Sequence, residues 1–313
     1  MSSDAITPPE IDIDVTENHP TTENDDHEIN GREAAAPSFF KKIAVLHAQR
    51  WHRLPTIIDI IFRGAGQVIF LNSIFSGFLV IIALFYGNPW LGLLSFIGGL
   101  LSTITGMIVA PKYTQLEGTA MLREGLLSYN GVLVGCAFAV FLNEGHPNAL
   151  SVIATFFGAV LSTLVSLLLK AIAITSYTKK MPSWTWGFNI VTLPVLLIAQ
   201  LTHDVGTPEQ ETALLLNNNA TYSMDAVHFL YSSCSGMSQI FVVNSVLSGV
   251  VFLFACFIFS PFLALIGVAG STLGTLCAYL LKEDYSSLLT GIFGYNSALT
   301  ALSVGVFFVP TGQ

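Results

Sequence analysis

The chain has 313 residues, of which 52% are hydrophobic and only 10% charged. That balance excludes a soluble globular domain, a disordered chain and a nucleic-acid-binding protein, and points to an integral membrane protein. The formal net charge of −8 belongs to one tail, because ten of the 20 acidic residues lie before position 34.

Residues 1–38 are polar, acidic and proline-containing, without an apolar period or a signal-peptide core, and are expected to be a disordered cytoplasmic tail. Residues 39–55 interleave Lys41, Lys42, Arg50 and Arg53 with Phe39, Phe40, Ile43, Leu46 and Trp51. This pattern fits a basic interfacial helix that keeps the N-terminus inside. Apolar segments follow at roughly 56–74, 76–92, 93–110, 125–143, 147–175 and 184–202. The first and last of these carry glycine and proline signals that argue against plain helices. Residues 203–225 form a polar linker containing Asn219-Ala-Thr221, a glycosylation acceptor that fits an extracellular position. Beyond it lie apolar segments near 226–244, 245–260, 261–281 and 286–309. Cys136, Cys234, Cys256 and Cys277 sit in or beside apolar segments with no ligand spacing and read as small core residues.

Two strings recur. Arg63-Gly-Ala-Gly-Gln-Val-Ile-Phe-Leu-Asn-Ser-Ile-Phe-Ser-Gly77 returns as Ser235-Gly-Met-Ser-Gln-Ile-Phe-Val-Val-Asn-Ser-Val-Leu-Ser-Gly249, at an offset of 172. Gly125-Leu-Leu-Ser-Tyr-Asn-Gly-Val-Leu-Val134 returns as Gly291-Ile-Phe-Gly-Tyr-Asn-Ser-Ala-Leu-Thr300, at an offset of 166. Two motifs in one order at nearly one separation define a duplicated unit: 56–202 and 226–313. An odd number of spans in the first unit places the second upside down, so the expected architecture is an all-α polytopic membrane protein of two inverted-topology repeats. Half-helices from both repeats then meet around a central pore.

The duplication singles out Gln67 and Gln239. An amide inside an apolar segment costs free energy unless it is hydrogen-bonded or wet. One such glutamine reads as helix–helix glue; two at equivalent positions read as pore-facing. Val68, Phe70, Ile240 and Val242 flank them, and Leu133 and Leu299 lie four residues beyond Tyr129 and Tyr295. As pore walls these form narrow flat slots suited to a small planar neutral solute. Asn130 and Asn296, each after a tyrosine, read as caps of half-helices. The apolar segments hold no central Asp, Glu, Lys or His for a proton relay or an ammonium channel, and no Asn-Pro-Ala pair, phosphate loop or nucleophile arrangement occurs. Nothing suggests an enzyme, a cofactor or a metal.

These residues resemble the urea transporters. The resemblance is carried by 63–72, 125–135, Thr185-Trp-Gly-Phe-Asn189, Ser260-Pro261 with 267–274, and Phe293-Gly-Tyr-Asn-Ser-Ala-Leu299. It implies channel-like passage of urea in the plasma membrane, through one pore per subunit of a homotrimer. Gln67, Gln239 and Thr185 are then hydrogen-bonding groups of the pore, and Val68, Phe70, Tyr129, Leu133, Ile240, Val242, Tyr295 and Leu299 its walls. Gly187 stands where the family carries the proline that breaks the helix. Thr185 lies 118 residues after Gln67, so its counterpart is expected near position 351, beyond Gln313. The second repeat is therefore expected to be truncated, and the chain to conduct poorly alone or to assemble with full-length subunits.

Overall fold

The computed structural model describes residues 56–113, 121–142, 145–175, 185–202 and 224–307. The acidic tail, the basic segment 39–55, residues 203–223 and Asn219 lie outside them. Among the described residues every regular element is an α-helix.

Helix α1 (Thr56–Gln67) ends in a tight turn that leads into α2 (Ile74–Gly87). Ser73 starts α2 by accepting the Ser76 N–H on its hydroxyl at 3.3 Å, satisfying one of the orphan donors of a helix start. The next boundary falls at Asn88 and not, as the apolar segments suggest, near 92. The Asn88 N–H closes α2 on the Leu84 carbonyl, while its side-chain oxygen accepts the N–H groups of Trp90 and Leu91 at 2.9 and 3.1 Å. One residue thus ends α2 and caps α3 (Pro89–Tyr113), whose first-turn proline needs no partner for a missing N–H.

A turn through 124–127 delivers α4 (Ser128–Phe141), buried on nearly every side, followed by α5 (Ala149–Thr175) and α6 (Trp186–Thr202). Helix α6 continues through Pro194, although that proline argued against a plain helix. Gly187 sits in its first turn: a Cβ there would lie 2.0 Å from Ser166 Oγ and 2.6 Å from the Ser162 carbonyl. The glycine at the start of α6 lets that helix press onto α5.

The second half comprises α7 (Ala226–Gln239), α8 (Val246–Phe259), α9 (Pro261–Leu280), the short α10 (Tyr285–Thr290) and α11 (Tyr295–Phe307). Asp225 caps α7 by accepting the His228 N–H at 2.9 Å, and that bond holds its carboxyl below the usual carboxylate range. Asp284 caps α10 and is held low in the same sense, first by the Ser286 hydroxyl and then by the Ser287 N–H.

Every packing pair among α1, α2, α3 and α4 recurs among α7, α8, α9 and α11. The halves join through α2 against α8. Ser76 Oγ donates to the Ala255 carbonyl at 3.1 Å, and Ser248 Oγ donates to the Ala83 carbonyl at 2.9 Å. Both donors and both acceptors are related by the offset of 172, so the contact is self-complementary, as across a two-fold axis. Helices α5 and α6, which cover α3 and α4, have no counterparts among the described residues.

Among the described residues four segments are long and apolar enough to cross a membrane: Pro89–Ala110, Ala149–Ile172, Pro261–Leu280 and Tyr285–Phe307. Helices α2 and α8 have 14 residues each, about 21 Å at the helical rise, which falls short of a hydrocarbon core of about 30 Å. Phe157, Leu168, Leu197 and Leu265 are among the large apolar side chains left facing outward. This outward-facing apolar surface is what lipid solvates. The molecule is an all-α polytopic membrane protein.

The four cysteines are free; Cys136, Cys234 and Cys256 are buried as expected of small core residues, whereas Cys277 is exposed.

Candidate functional site

The site begins where α1 and α7 end. Each helix terminates at its glutamine and passes into a three-bond turn: Ile69, Phe70 and Leu71 N–H groups reach back to Gly66, Gln67 and Gly66 carbonyls. Phe241, Val242 and Val243 repeat the pattern onto Ser238, Gln239 and Ser238. To close these turns, Phe70 and Val242 adopt left-handed backbone, at φ 62° and 59°. That conformation costs a non-glycine residue of order 1–3 kcal/mol, and a β-branched valine is among the least suited to it. The same expense falls at both positions expected to line the slots, a feature that residue types alone did not carry.

The two side-chain amides are placed alike. Gln67 Nε2 donates to the Glu124 carbonyl at 3.1 Å, and Gln239 Nε2 donates to the Thr290 carbonyl, also at 3.1 Å. Each carbonyl immediately precedes a repeated glycine, Gly125 or Gly291, with φ 75° and 77°. The left-handed glycine turns the chain sharply and brings its backbone against the glutamine helix, α1 or α7: a Cβ on Gly125 would lie 2.4 Å from the Gly64 nitrogen, and one on Gly291 2.2 Å from the Gly236 nitrogen. The sequence marked these glycines as repeated. It did not mark the carbonyls, which any residue supplies.

One apolar cluster gathers most of the expected walls from both halves. Val68, Tyr129, Leu133 and Ile240 are buried in it, and Phe70, Tyr295, Leu299 and Phe188 pack against it. The Phe70 ring meets Phe307 of α11 edge-on, at a centroid distance of 5.8 Å. Val242 is half-buried and outside that cluster. Thr185 is half-buried at the start of α6, where its hydroxyl accepts from Asn189 Nδ2 at 3.4 Å.

Asn130 is not a cap. Helix α4 starts with Leu127 at the cap position, and Asn130 lies fully buried inside its first turn, donating to Ser166 Oγ of α5 at 3.0 Å. Asn296 lies inside α11 and is exposed. The correction has a physical reason: both turns are ended by backbone bonds onto the left-handed glycine, so the asparagines are free for lateral contact. Among the described residues no group of His, Cys, Asp and Glu is arranged to hold a metal ion. The arrangement offers amide, hydroxyl and carbonyl dipoles against apolar faces.

A family model described as urea transporter matches residues 58–313. Among curated proteins the chain is similar to urea transporter 1 of Mus musculus and of Rattus norvegicus, each 28% identical over 262 residues, and to that of Capra hircus at 26%. Each alignment covers 80% of this chain and 64% of the relative, so the chain spans less than two thirds of these relatives' length. The family model takes in both copies of the glutamine turn and both glycine turns, and on that match this chain belongs to the urea transporter family.

Proposed function

We propose that the chain passes urea down its gradient, channel-like, between its two repeats. The observation that carries this reading is the paired amide: Gln67 and Gln239 end equivalent helices, each spending one N–H on a backbone carbonyl at 3.1 Å. The second N–H and the carbonyl oxygen of each amide then serve a solute that is both donor and acceptor. Thr185 adds a hydroxyl, and Val68, Phe70, Tyr129, Leu133, Ile240, Val242, Tyr295 and Leu299 supply flat walls. Dipoles without net charge bind weakly enough for release, which a passage requires.

In this reading the repeats 56–202 and 226–313 are inverted in the plasma membrane, the tail 1–38 and the basic segment 39–55 are cytoplasmic, and the linker 203–225 with a glycan on Asn219 is outside. Three copies assemble, each with its own passage.

Stopped-flow urea flux in vesicles tests the proposal with Gln67→Leu and Gln239→Leu. Each change removes solute hydrogen bonding of about 1–2 kcal/mol, and flux is expected to fall roughly 5- to 30-fold with folding retained. Wild-type flux in both variants would make the glutamines helix glue. Competition by thiourea or formamide separates urea from another small amide or ammonia as the solute. A second reading, a regulatory subunit that does not conduct alone, is favoured by one contrast: Asn130 is enclosed by α5, whereas Asn296 is exposed. Silent vesicles containing only this chain, with co-purification of a longer relative, would select it.

A further inference from the structure

The two glutamine turns share their backbone bonds but not their bracing. In the first, Arg63 lies one helical turn before Gln67. Its Nε donates to Asp59 Oδ1 at 2.7 Å and its Nη1 to Asn72 Oδ1 at 3.0 Å. Asp59, Arg63 and Gln67 are spaced by four and share a face of α1. Alone, an i,i+4 ion pair that is about one quarter exposed stabilises a helix little. The contact to Asn72 changes its role, because Asn72 lies two residues past left-handed Phe70, at the far end of the turn. A planar guanidinium, whose donors form a rigid fork, bridges both ends where a flexible ammonium reaches one. In the second repeat Tyr231 stands at the position of Asp59 and Ser235 at that of Arg63, and Asn244, equivalent to Asn72, is exposed.

We propose that Arg63 is a positioning residue of the first slot: seated on Asp59, it holds Asn72 and so fixes the turn that presents Phe70, making the first slot the rigid, size-selecting one and the second the adaptable one. The proposal rests on the urea-channel reading for its consequence in transport. Its structural half stands apart from that reading. A fixed Phe70 rejects a planar amide bearing an extra methyl, whereas the unbraced turn at Val242 yields to it.

Two measurements on the full chain in vesicles test this. Hydrogen exchange compares the amides of 69–71 with those of 241–243, which make the same backbone bonds. The first set is expected to exchange at least tenfold more slowly, and Arg63→Ala to remove most of that gap. Equal rates in the unaltered chain would overturn the brace. The ratio of methylurea to urea permeability is then expected to rise about threefold or more in Arg63→Ala, in Arg63→Lys and in Asn72→Ala, and to stay fixed in Ser235→Ala. Asn72→Ala removes the receiver and leaves the ion pair intact, so a folding defect from an unpaired charge does not confuse the result. A parallel fall of both permeabilities with an unchanged ratio would overturn size selection by this turn. Vesicles that pass no urea would count against the channel reading, while the exchange rates would still decide the brace.

Discussion

The first and second repeats build one turn from partly different side chains. Gly64 of α1 and Gly236 of α7 each face a hydroxymethyl group. In the first repeat Ser128 of α4 supplies it, with a Cβ on Gly64 placed 2.5 Å from Ser128 Cβ. In the second, Ser271 of α9 supplies it, with a Cβ on Gly236 placed 2.2 Å from Ser271 Oγ. The position equivalent to Ser271 is Gly99, and the position equivalent to Ser128 is Gly294. The filler has changed helices while the filled space has stayed. What the repeats share is backbone course, one amide and its carbonyl; what they exchange is volume. Close packing tolerates such an exchange when volume is conserved.

The comparison can be broken most severely at Gly77 and Gly249, where α1 meets α2 and α7 meets α8. A Cβ would lie 1.6 Å from the Phe62 carbonyl oxygen or 1.8 Å from that of Cys234. Either glycine changed to alanine is expected to drive the helices apart at a cost of roughly 3 kcal/mol or more, read as loss of folded protein on heating in detergent. Gly267→Ala, whose new Cβ finds its nearest neighbour at 3.4 Å, is expected to be neutral or to stabilise by up to about 1 kcal/mol. Equal losses at 77 and 249 would show that both repeats depend on the same approach.

A smaller effect sharpens the exchange of volume. Gly99→Ser puts a side chain 2.9 Å from Val132 Cγ2 and 3.3 Å from Ser128 Oγ, and is expected to cost about 1–3 kcal/mol. Adding Ser128→Gly recreates the arrangement of the second repeat and is expected to recover most of that loss. Additive losses in the double variant would refute the equivalence of the two fillers. The least effect is expected at the caps. Asp225 and Asp284 have carboxyls held below their ordinary range, so their capping contribution is present above the unfolded carboxylate pKa and fades as pH falls through the lower folded value. Fraying of α7 and α10 below about pH 4, seen by hydrogen exchange and absent in Asp225→Asn and Asp284→Asn, is the expected outcome.

Much of this was legible in the residues. The duplication, the two glutamines and the repeated glycines needed only the offsets, because a pattern of residue types survives where geometry demands those types. The residues expected as walls were singled out by their places beside the repeated glutamines and tyrosines, and one apolar cluster gathers most of them. Three things were hidden for physical reasons. Carbonyl partners carry no residue identity, so Glu124 and Thr290 could not be chosen. Left-handed Phe70 and Val242 look like ordinary strand or helix formers, since tertiary closure of the turn and not local preference sets their φ. The break at Asn88 was hidden by continuous apolar sequence on both sides of it. Asn130 misled in the opposite sense: its residue type suits a helix cap, and the fold uses its amide sideways.

The hydroxyls of Ser76 and Ser248, each donating to the other half's helix, give the molecule an interface of the kind two separate copies of one peptide make. Fusing such copies turns their meeting into an event within one polymer, with an effective concentration of order millimolar set by the tether and independent of expression level. A gene that holds both halves therefore fixes their stoichiometry at one to one and frees each to diverge. The arginine of one half and the displaced serine of the other are divergence of that kind.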